Sequence, residues 1–165
     1  MPTSSNRRYT YHLVNVFVES PGATFGGNPL CVFENAHGMS DAEMQSLAAQ
    51  FNLSETTFVL PAAPGSGAPP TVRIFTPAFE MPFAGHPTVG TAFVVNALGL
   101  PGCTGDALTL RMKAGDIPVT REPGGWTLTA NAHTSRESGI ARSDLASMLG
   151  VTEADLGDAA RYVDT

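Results

Sequence analysis

Alternating hydrophobic and polar residues along the chain predict a series of short β-strands. The clearest case is Thr71 to Phe75, where branched or aromatic residues alternate with polar ones as in a half-buried strand. Pro77 and Pro82 follow this segment, and proline is excluded from the interior of a sheet, so the chain must turn there. The other strand-like segments are residues 10–18, 30–33, 53–60 (a loop entering a strand), 107–112, 117–121 and 126–130.

Two segments have the periodicity of a helix. Residues Ser40 to Glu43 form a capping box, and apolar residues follow it at i, i+3, i+4 and i+7. The second helix is predicted to begin at Pro87 and to end at Gly99, a common helix terminator. Almost all of its residues are apolar, so we expect it to be buried, with His86 at its cap.

The segment Gly85-His86 is the first candidate for a functional site. A helix start presents unpaired backbone N–H groups and the positive end of a dipole, which attract carboxylate or phosphate groups. Gly85 would permit close approach of such a ligand. The alternative is a tight turn whose histidine only caps the helix, and the spacing alone does not decide between the two.

Two other loops carry residues that could join such a site. Glu55 lies between the end of the first helix and a β-branched run. A carboxylate held at such a junction can lose part of its hydration, which raises its pKa and suits it to general acid/base work. The alternative is a solvated glutamate in a turn. Gly26 and Gly27 precede Asn28 and allow backbone conformations closed to other residues, which could bring this loop to a small ligand.

Composition limits the classes of protein that the chain can belong to. It has 165 residues, 42% of them hydrophobic and 15% charged, which indicates a globular chain of one domain or of one domain with the beginning of another. The net charge of −6 and the scattered arginines give no footprint for nucleic acid or for a membrane surface. The start of the chain lacks the apolar core of a signal peptide, so we expect a cytoplasmic location. Cys31 and Cys103 make neither a disulfide framework nor a metal-ligand spacing.

Three segments, taken together, are similar to a known family. They are Gly26-Gly27-Asn28-Pro29, the segment 51–59 (FNLSETTFV) and the segment 75–88, which contains Gly85-His86-Pro87. On these motifs the chain resembles the PhzF-like proteins, which are phenazine-biosynthesis isomerases and their relatives within the diaminopimelate-epimerase-like fold. The resemblance spans nearly the whole chain.

The resemblance implies an α+β fold in which a mixed, mostly antiparallel sheet is rolled around a central apolar helix. Residues 1–130 would form this N-terminal half, and residues 131–165 would be a linker and the beginning of a truncated second domain. In such proteins the active site lies in the cleft between two similar halves, and nothing in this chain matches the segment with which the second half closes the site. The resemblance also implies that no cofactor is used and that the full-length form is a homodimer.

The resemblance assigns the catalytic role to Glu55 and substrate binding to Asn28, Ser54, Gly85 and His86, with no metal. The substrate would be a small carboxylate-bearing molecule, from which Glu55 takes a proton and returns it at another carbon. Related racemases of this fold use two cysteines as acid and base. This chain has no cysteine in the matching segments, so an isomerase with a single carboxylate is favoured.

Two other interpretations stay open from the sequence. One is a non-catalytic remnant that binds a small ligand or dimerises, and that lacks the second half of the active site. The other is a purely structural domain without a ligand. If a second half is missing, its absence should bring Phe79, Met81 and Phe83 to the solvent and make the chain self-associate.

Overall fold

The computed structural model describes residues 7–20, 22–23, 25–157 and 161–164. The helices are α1 (Asp41–Phe51), α2 (Gly85–Ala97) and α3 (Arg142–Leu149), with a 3₁₀ turn at Glu153–Asp155. The strands are β1 (Tyr11–Val16), β2 (Asn28–Phe33), β3 (Glu55–Leu60), β4 (Thr71–Phe75), β5 (Glu80–Met81), β6 (Ala107–Met112), β7 (Gly115–Glu122), β8 (Gly125–Leu128), β9 (Thr134–Glu137) and β10 (Arg161–Asp164).

Contacts divide the chain into two compact units, Met1–Thr129 and Ala130–Thr165. The first contains one sheet in the order β1-β2-β3-β4-β6-β7-β8, with β5 beside β4. The pairs β2/β3 and β4/β6 are parallel and the other pairs are antiparallel, so the sheet is mixed and mostly antiparallel, as predicted. The predicted strands at 107–112, 117–121 and 126–130 correspond to β6, β7 and β8, which form an antiparallel meander near the end of this unit.

The sheet curls around α2. The helix contacts both β1 and β8, which are the two ends of the strand order, as well as β2, β3 and β6. A helix that is apolar on all sides must be covered on all sides, and a curled sheet provides that cover. Close approach is possible at Gly90, where a Cβ would lie 2.7 Å from side-chain atoms of Leu30 and Val16. The predicted fold class is therefore confirmed.

Strand residues alternate between this inner face and an outer face. On β3, Val59 belongs to the inner cluster around α2, whereas Phe58 belongs to an outer cluster under α1. The hydroxyl of Thr57 shares a hydrogen bond of 2.9 Å with that of Thr91 on α2, so Thr57 also points inward. Because side chains two residues apart share a face, Glu55 at the start of β3 lies on the inner face.

The outer face is covered by α1, which packs against β3 and β4. The predicted capping box is present, since the Ser40 hydroxyl accepts from the Glu43 N–H and the Glu43 carboxylate accepts from the Ser40 N–H. The helix ends at Phe51 because Asn52 adopts a left-handed conformation with φ of 52°. The buried residues of the cluster between α1 and the sheet are Met44 and Ala48 of the helix, with Cys31, Phe33, Ala36, Phe58 and Phe75.

Several predicted details were wrong. Helix α2 was predicted to begin at Pro87 but begins two residues earlier, at Gly85. Pro87 is tolerated inside the first turn because the N–H groups of that turn have no partner within the helix, so the missing N–H of proline costs nothing there. His86 lies inside the first turn and does not cap the helix, whose N-cap is Ala84. Cys103 lies between α2 and β6 and is fully buried in the inner cluster.

The apolar residues expected at the surface behave differently from one another. Phe79 is 58% exposed, as predicted. Met81 and Phe83 are partly buried and pack against the inner cluster, so the prediction that they reach the solvent was wrong. The short strand β5 pairs with β4 and brings Met81 into contact with the sheet. The sequence did not predict this strand, because Pro77 and Pro82 on either side of it indicated a turn.

The second unit holds β9, α3, the 3₁₀ turn and β10. Strands β9 and β10 form an antiparallel pair. The four residues of β9 are all polar and all exposed, so no alternation of apolar and polar residues marks this strand in the sequence. In the described part of the chain no helix is long and apolar enough to cross a membrane.

Candidate active site

Three elements bring the candidate residues together at one edge of the inner face. Strands β2 and β3 are parallel, with Leu30 opposite Glu55, so their first residues lie at the same edge of the sheet. Asn28 is the first residue of β2 and Glu55 is the first of β3. Helix α2 begins beside them and places His86 in its first turn. The site therefore depends on the sheet register and on where the helix begins.

The carboxyl group of Glu55 faces the imidazole of His86. Glu55 Oε2 lies 3.4 Å from His86 Nε2, and the two side chains are 16% and 9% exposed. Within the described residues neither of these two atoms has a hydrogen-bond partner. The expected proximity of Glu55 and His86 is confirmed. Buried polar atoms are nearly always paired in folded proteins, so an unsatisfied pair at the edge of a sheet is a mark of a ligand site.

Burial shifts both groups towards their neutral forms. It raises the pKa of Glu55 above its ordinary value and lowers the pKa of His86 below its ordinary value. At neutral pH the imidazole of His86 is therefore uncharged. The close contact of the two side chains is then one between a carboxyl group and a neutral ring, although its geometry also satisfies the distance for an ion pair.

Asn28 and Ser54 lie beside this pair and are hydrogen-bonded within the protein. The Ser54 hydroxyl donates to Asn28 Oδ1 at 3.2 Å. On the other side of the same amide, Asn28 Nδ2 lies 3.2 Å from His86 Nδ1. A chain of side chains thus runs from Ser54 through Asn28 to His86, and His86 presents its remaining nitrogen to Glu55.

The glycine pair before Asn28 sets the position of the loop. Gly26 and Gly27 both have positive φ, of 91° and 72°. A Cβ on Gly27 would lie 2.3 Å from the carbonyl oxygen of Val16, so no other residue fits there. Val16 pairs with Asn28 across the β1–β2 hairpin, which means that this tight approach delivers Asn28 to the start of β2.

The start of α2 leaves room beside the site. Apart from Gly85 itself, its two chain neighbours and the backbone of its own helix, no described residue has an atom within 4 Å of a Cβ built on Gly85. The backbone N–H groups of Gly85 and His86 belong to the first turn, where helical N–H groups have no partner within the helix. These donors and the dipole of the helix favour a carboxylate at this end.

Two threonines that the sequence analysis did not single out support the site. The hydrogen bond between Thr57 and Thr91 ties β3 to α2 two residues from Glu55 and about one and a half turns from His86. Thr91 in the mostly apolar segment of α2 was the signal in the sequence that could have revealed this contact, because a buried hydroxyl needs a hydrogen-bond partner. Over the described ranges, no group of three His, Cys, Asp or Glu side chains could hold a metal ion.

Comparison with known proteins finds a family that covers most of the chain. Residues 14–155 match the sequence profile of the family described as phenazine biosynthesis-like protein. Over 115 residues the chain is 50% identical to an uncharacterized isomerase of Pasteurella multocida, which covers 69% of this chain and 37% of that protein. It is 38% identical over 114 residues to the trans-2,3-dihydro-3-hydroxyanthranilate isomerase of Pseudomonas aeruginosa, covering 69% of this chain and 38% of that enzyme.

A solved structure agrees with the fold. The crystal structure of the Bacillus anthracis phenazine biosynthesis protein of the PhzF family superposes with a TM-score of 0.76 at 27% identity. The match covers 95% of this chain and 53% of that one. The chain thus spans about half or less of the length of the proteins that it matches.

Proposed function

Because the chain belongs to the phenazine biosynthesis-like family, we propose that it carries the acid/base side of an isomerase active site. Glu55 is the group that moves the proton. The observation that carries the proposal is the buried contact of 3.4 Å between Glu55 Oε2 and His86 Nε2, two atoms without hydrogen-bond partners in the described residues. Such atoms are available to a ligand, and a carboxyl group with a raised pKa suits proton transfer near neutral pH.

The reaction moves one proton between two carbons of the substrate. Ionised Glu55 takes the proton from the first carbon, and the electron pair of the broken C–H bond shifts into the neighbouring carbon framework. The protonated carboxyl group then gives the proton to the second carbon, which restores the starting form of Glu55. His86 and the N–H groups at Gly85 hold the carboxylate and the charge that develops on it. Asn28 and Ser54 line the same side of the site.

The substrate is a small molecule that carries a carboxylate. The polarity of the helix start supports this choice, since its N–H donors and dipole favour an anion. The Pseudomonas aeruginosa relative is named for trans-2,3-dihydro-3-hydroxyanthranilate, which has a carboxylate of this kind. That compound is therefore the first substrate to test.

The proposal extends to the protein in its full length. On the family resemblance, residues 131–165 lead into a second half that closes the site, and the full-length form is a homodimer. The polar start of the chain adds a cytoplasmic location to the proposal. Size-exclusion chromatography with light scattering would measure the mass of the full-length protein. A monomer that turns the substrate over would remove the homodimer from the proposal.

The test of the catalytic role is the substitution Glu55→Gln in the full-length protein. The amide keeps the shape of the side chain but cannot carry the proton, so turnover should fall by about 10²- to 10⁴-fold. The dissociation constant measured by calorimetry should stay within a few-fold of the wild-type value, since His86 and the N–H groups at Gly85 still contact the carboxylate of the substrate. In D₂O the wild-type product should acquire deuterium at the second carbon, and the variant should show none above background.

The matched control is Glu34→Gln. Glu34 also faces a histidine, with its Oε2 2.6 Å from His12 Nε2, but this pair lies at the other end of the β1–β2 hairpin from Asn28. The control should keep wild-type turnover. Unchanged turnover in Glu55→Gln would assign Glu55 to structure. Wild-type protein that binds the substrate without converting it would favour the non-catalytic ligand-binding alternative.

A further inference from the structure

The Asn28 side chain is already occupied on both sides. Its Oδ1 accepts from the Ser54 hydroxyl, and its Nδ2 faces His86 Nδ1, both at 3.2 Å. Asn28 is half-buried at the start of β2, where the tight approach of Gly27 to Val16 holds the backbone. The amide is thus built into the protein, between a serine and the imidazole that faces Glu55.

The direction of the hydrogen bond between Asn28 and His86 determines which ring nitrogen of His86 carries the proton. An amide nitrogen only donates, so His86 Nδ1 must accept from it. A neutral imidazole carries one proton, which is then on Nε2. That nitrogen is the one 3.4 Å from Glu55 Oε2. His86 therefore presents an N–H donor on the side of the ring where Glu55 lies.

The opposite orientation of the amide is less favourable. It would place the Asn28 oxygen against Nδ1, move the ring proton to Nδ1 and leave a lone pair on Nε2. Whenever Glu55 is ionised, that lone pair would face a carboxylate oxygen at 3.4 Å, with both atoms buried. The hydroxyl of Ser54 donates to the amide oxygen in the observed orientation and, because a hydroxyl also accepts, it fits either orientation, so the contact of Nε2 with Glu55 decides between them.

We propose that Asn28 is a positioning residue, whose amide, hydrogen-bonded to Ser54, holds neutral His86 in the tautomer with its proton on Nε2. His86 is then a fixed hydrogen-bond donor beside the carboxyl group of Glu55. The tautomer follows from the contact of Asn28 with Nδ1 and of Glu55 with Nε2. Its catalytic meaning, a donor aimed at the carboxylate or the developing charge of the substrate, rests on the proposed function.

The test is the ¹⁵N NMR signature of the His86 ring in the labelled chain at neutral pH. The chain has four histidines, so the His86 signals are assigned by their loss in His86→Gln. We expect an unprotonated Nδ1 and a protonated Nε2 in the wild type. A wild-type ring with its proton on Nδ1 would overturn the proposal, and this measurement requires no variant of Asn28 to fold.

The variant Asn28→Asp gives the sharper comparison, because it keeps the shape and replaces the donor by an acceptor. A carboxylate at this position must accept from Nδ1–H, so the ring should switch tautomer or become doubly protonated. Asn28→Ala should give a mixture of tautomers. The control Glu34→Gln should leave the His86 signals unchanged. A folded Asn28→Asp protein with a wild-type ring signature would contradict the proposal.

Kinetics in the full-length protein separate this proposal from the proposed function. Asn28→Asp should lower kcat by about 10-fold or more while KM changes less. The variant disturbs the N–H donor at Nε2 of His86, and that donor stabilises the charge that develops during the reaction. If the wild-type tautomer is as expected but no isomerisation occurs, the proposed function fails and the positioning role stands. If isomerisation occurs with the other tautomer, the positioning role fails and the proposed function stands.

Discussion

Glu55 and Glu80 show how differently the two faces of the sheet treat a carboxylate. Their side chains are about equally accessible, at 16% and 22%. Glu80 receives two hydrogen bonds from Arg73, of 2.8 and 2.9 Å, whereas the described residues place only the neutral ring of His86 beside the carboxyl group of Glu55. The guanidinium of Arg73 lowers the pKa of Glu80, and burial raises that of Glu55.

Because the two side chains are about equally accessible, the presence of a neighbouring cation, and not the degree of burial, explains why the pKa shifts of Glu55 and Glu80 differ in direction. On the outer face, Arg73 also pairs with Asp41 at the start of α1 and lies over the ring of Phe75, so Glu80 helps to hold β4, β5 and α1 together. On the inner face Glu55 has no such partner in the described residues. A satisfied carboxylate stabilises the fold, and an unsatisfied one is available for chemistry.

The largest effect on stability is expected for Glu80→Gln. It leaves the partly buried Arg73 with a weaker partner, which should lower the free energy of unfolding by about 2 kcal/mol at pH 7. Urea denaturation measures this. The control is Asp116→Asn, which weakens the exposed pair with Arg111 and should change stability by less than about 0.5 kcal/mol. Equal losses in the two variants would mean that Glu80 is no more structural than a surface carboxylate.

Glu55→Gln should change stability in the opposite direction. The pKa of Glu55 is raised in the folded state, so the unfolded chain loses this proton first as the pH rises above about 4.3. Wild-type stability is therefore lost between that pH and the folded pKa, and the amide avoids the loss. We expect Glu55→Gln to be more stable than wild type by about 1 kcal/mol at pH 7 and similar to it below pH about 4. Chemical denaturation across this range would reveal a loss at pH 7 if Glu55 were structural.

The smallest effect concerns His86 at acidic pH. Its pKa is lowered in the folded state, so the unfolded chain binds a proton first as the pH falls below about 6.5. Wild-type stability should decrease from that pH downwards, and His86→Gln should remove about 0.5 kcal/mol of this decrease. The control His37→Gln changes an exposed histidine and should leave the slope as it is. A slope that His86→Gln does not change would mean that the imidazole is not desolvated.

The sequence alone determined the elements whose signals are local. Thr71–Phe75 is a strand as predicted, because alternation within five residues is enough to indicate one face of a sheet. The capping box from Ser40 to Glu43 predicted the start of α1 for the same reason, since its hydrogen bonds join neighbours. The apolar composition of the helix that ends before Gly99 predicted that this helix is buried, and the inner core surrounds it.

Tertiary structure decided what depends on distant pairs of residues. The pairing of β9 with β10 joins segments more than 20 residues apart, and the four exposed polar residues of β9 carry no strand pattern of their own. The ion pairs of Arg73 reach back to Asp41 and forward to Glu80, so no local motif predicts them. The start of α2 at Gly85 instead of Pro87 is, by contrast, a local feature that the sequence analysis placed wrongly, because the hydrogen-bond ladder, and not the proline, defines the helix.

The candidate site divides in the same way. The sequence marked Glu55, His86 and Asn28 by their positions at the ends of elements, and the family resemblance linked them. The parallel register of β2 and β3 and the first turn of α2 brought their side chains within hydrogen-bonding reach. The raised pKa of Glu55 arises only there, because desolvation and the lack of a nearby cation are properties of a folded environment and not of any short segment of chain.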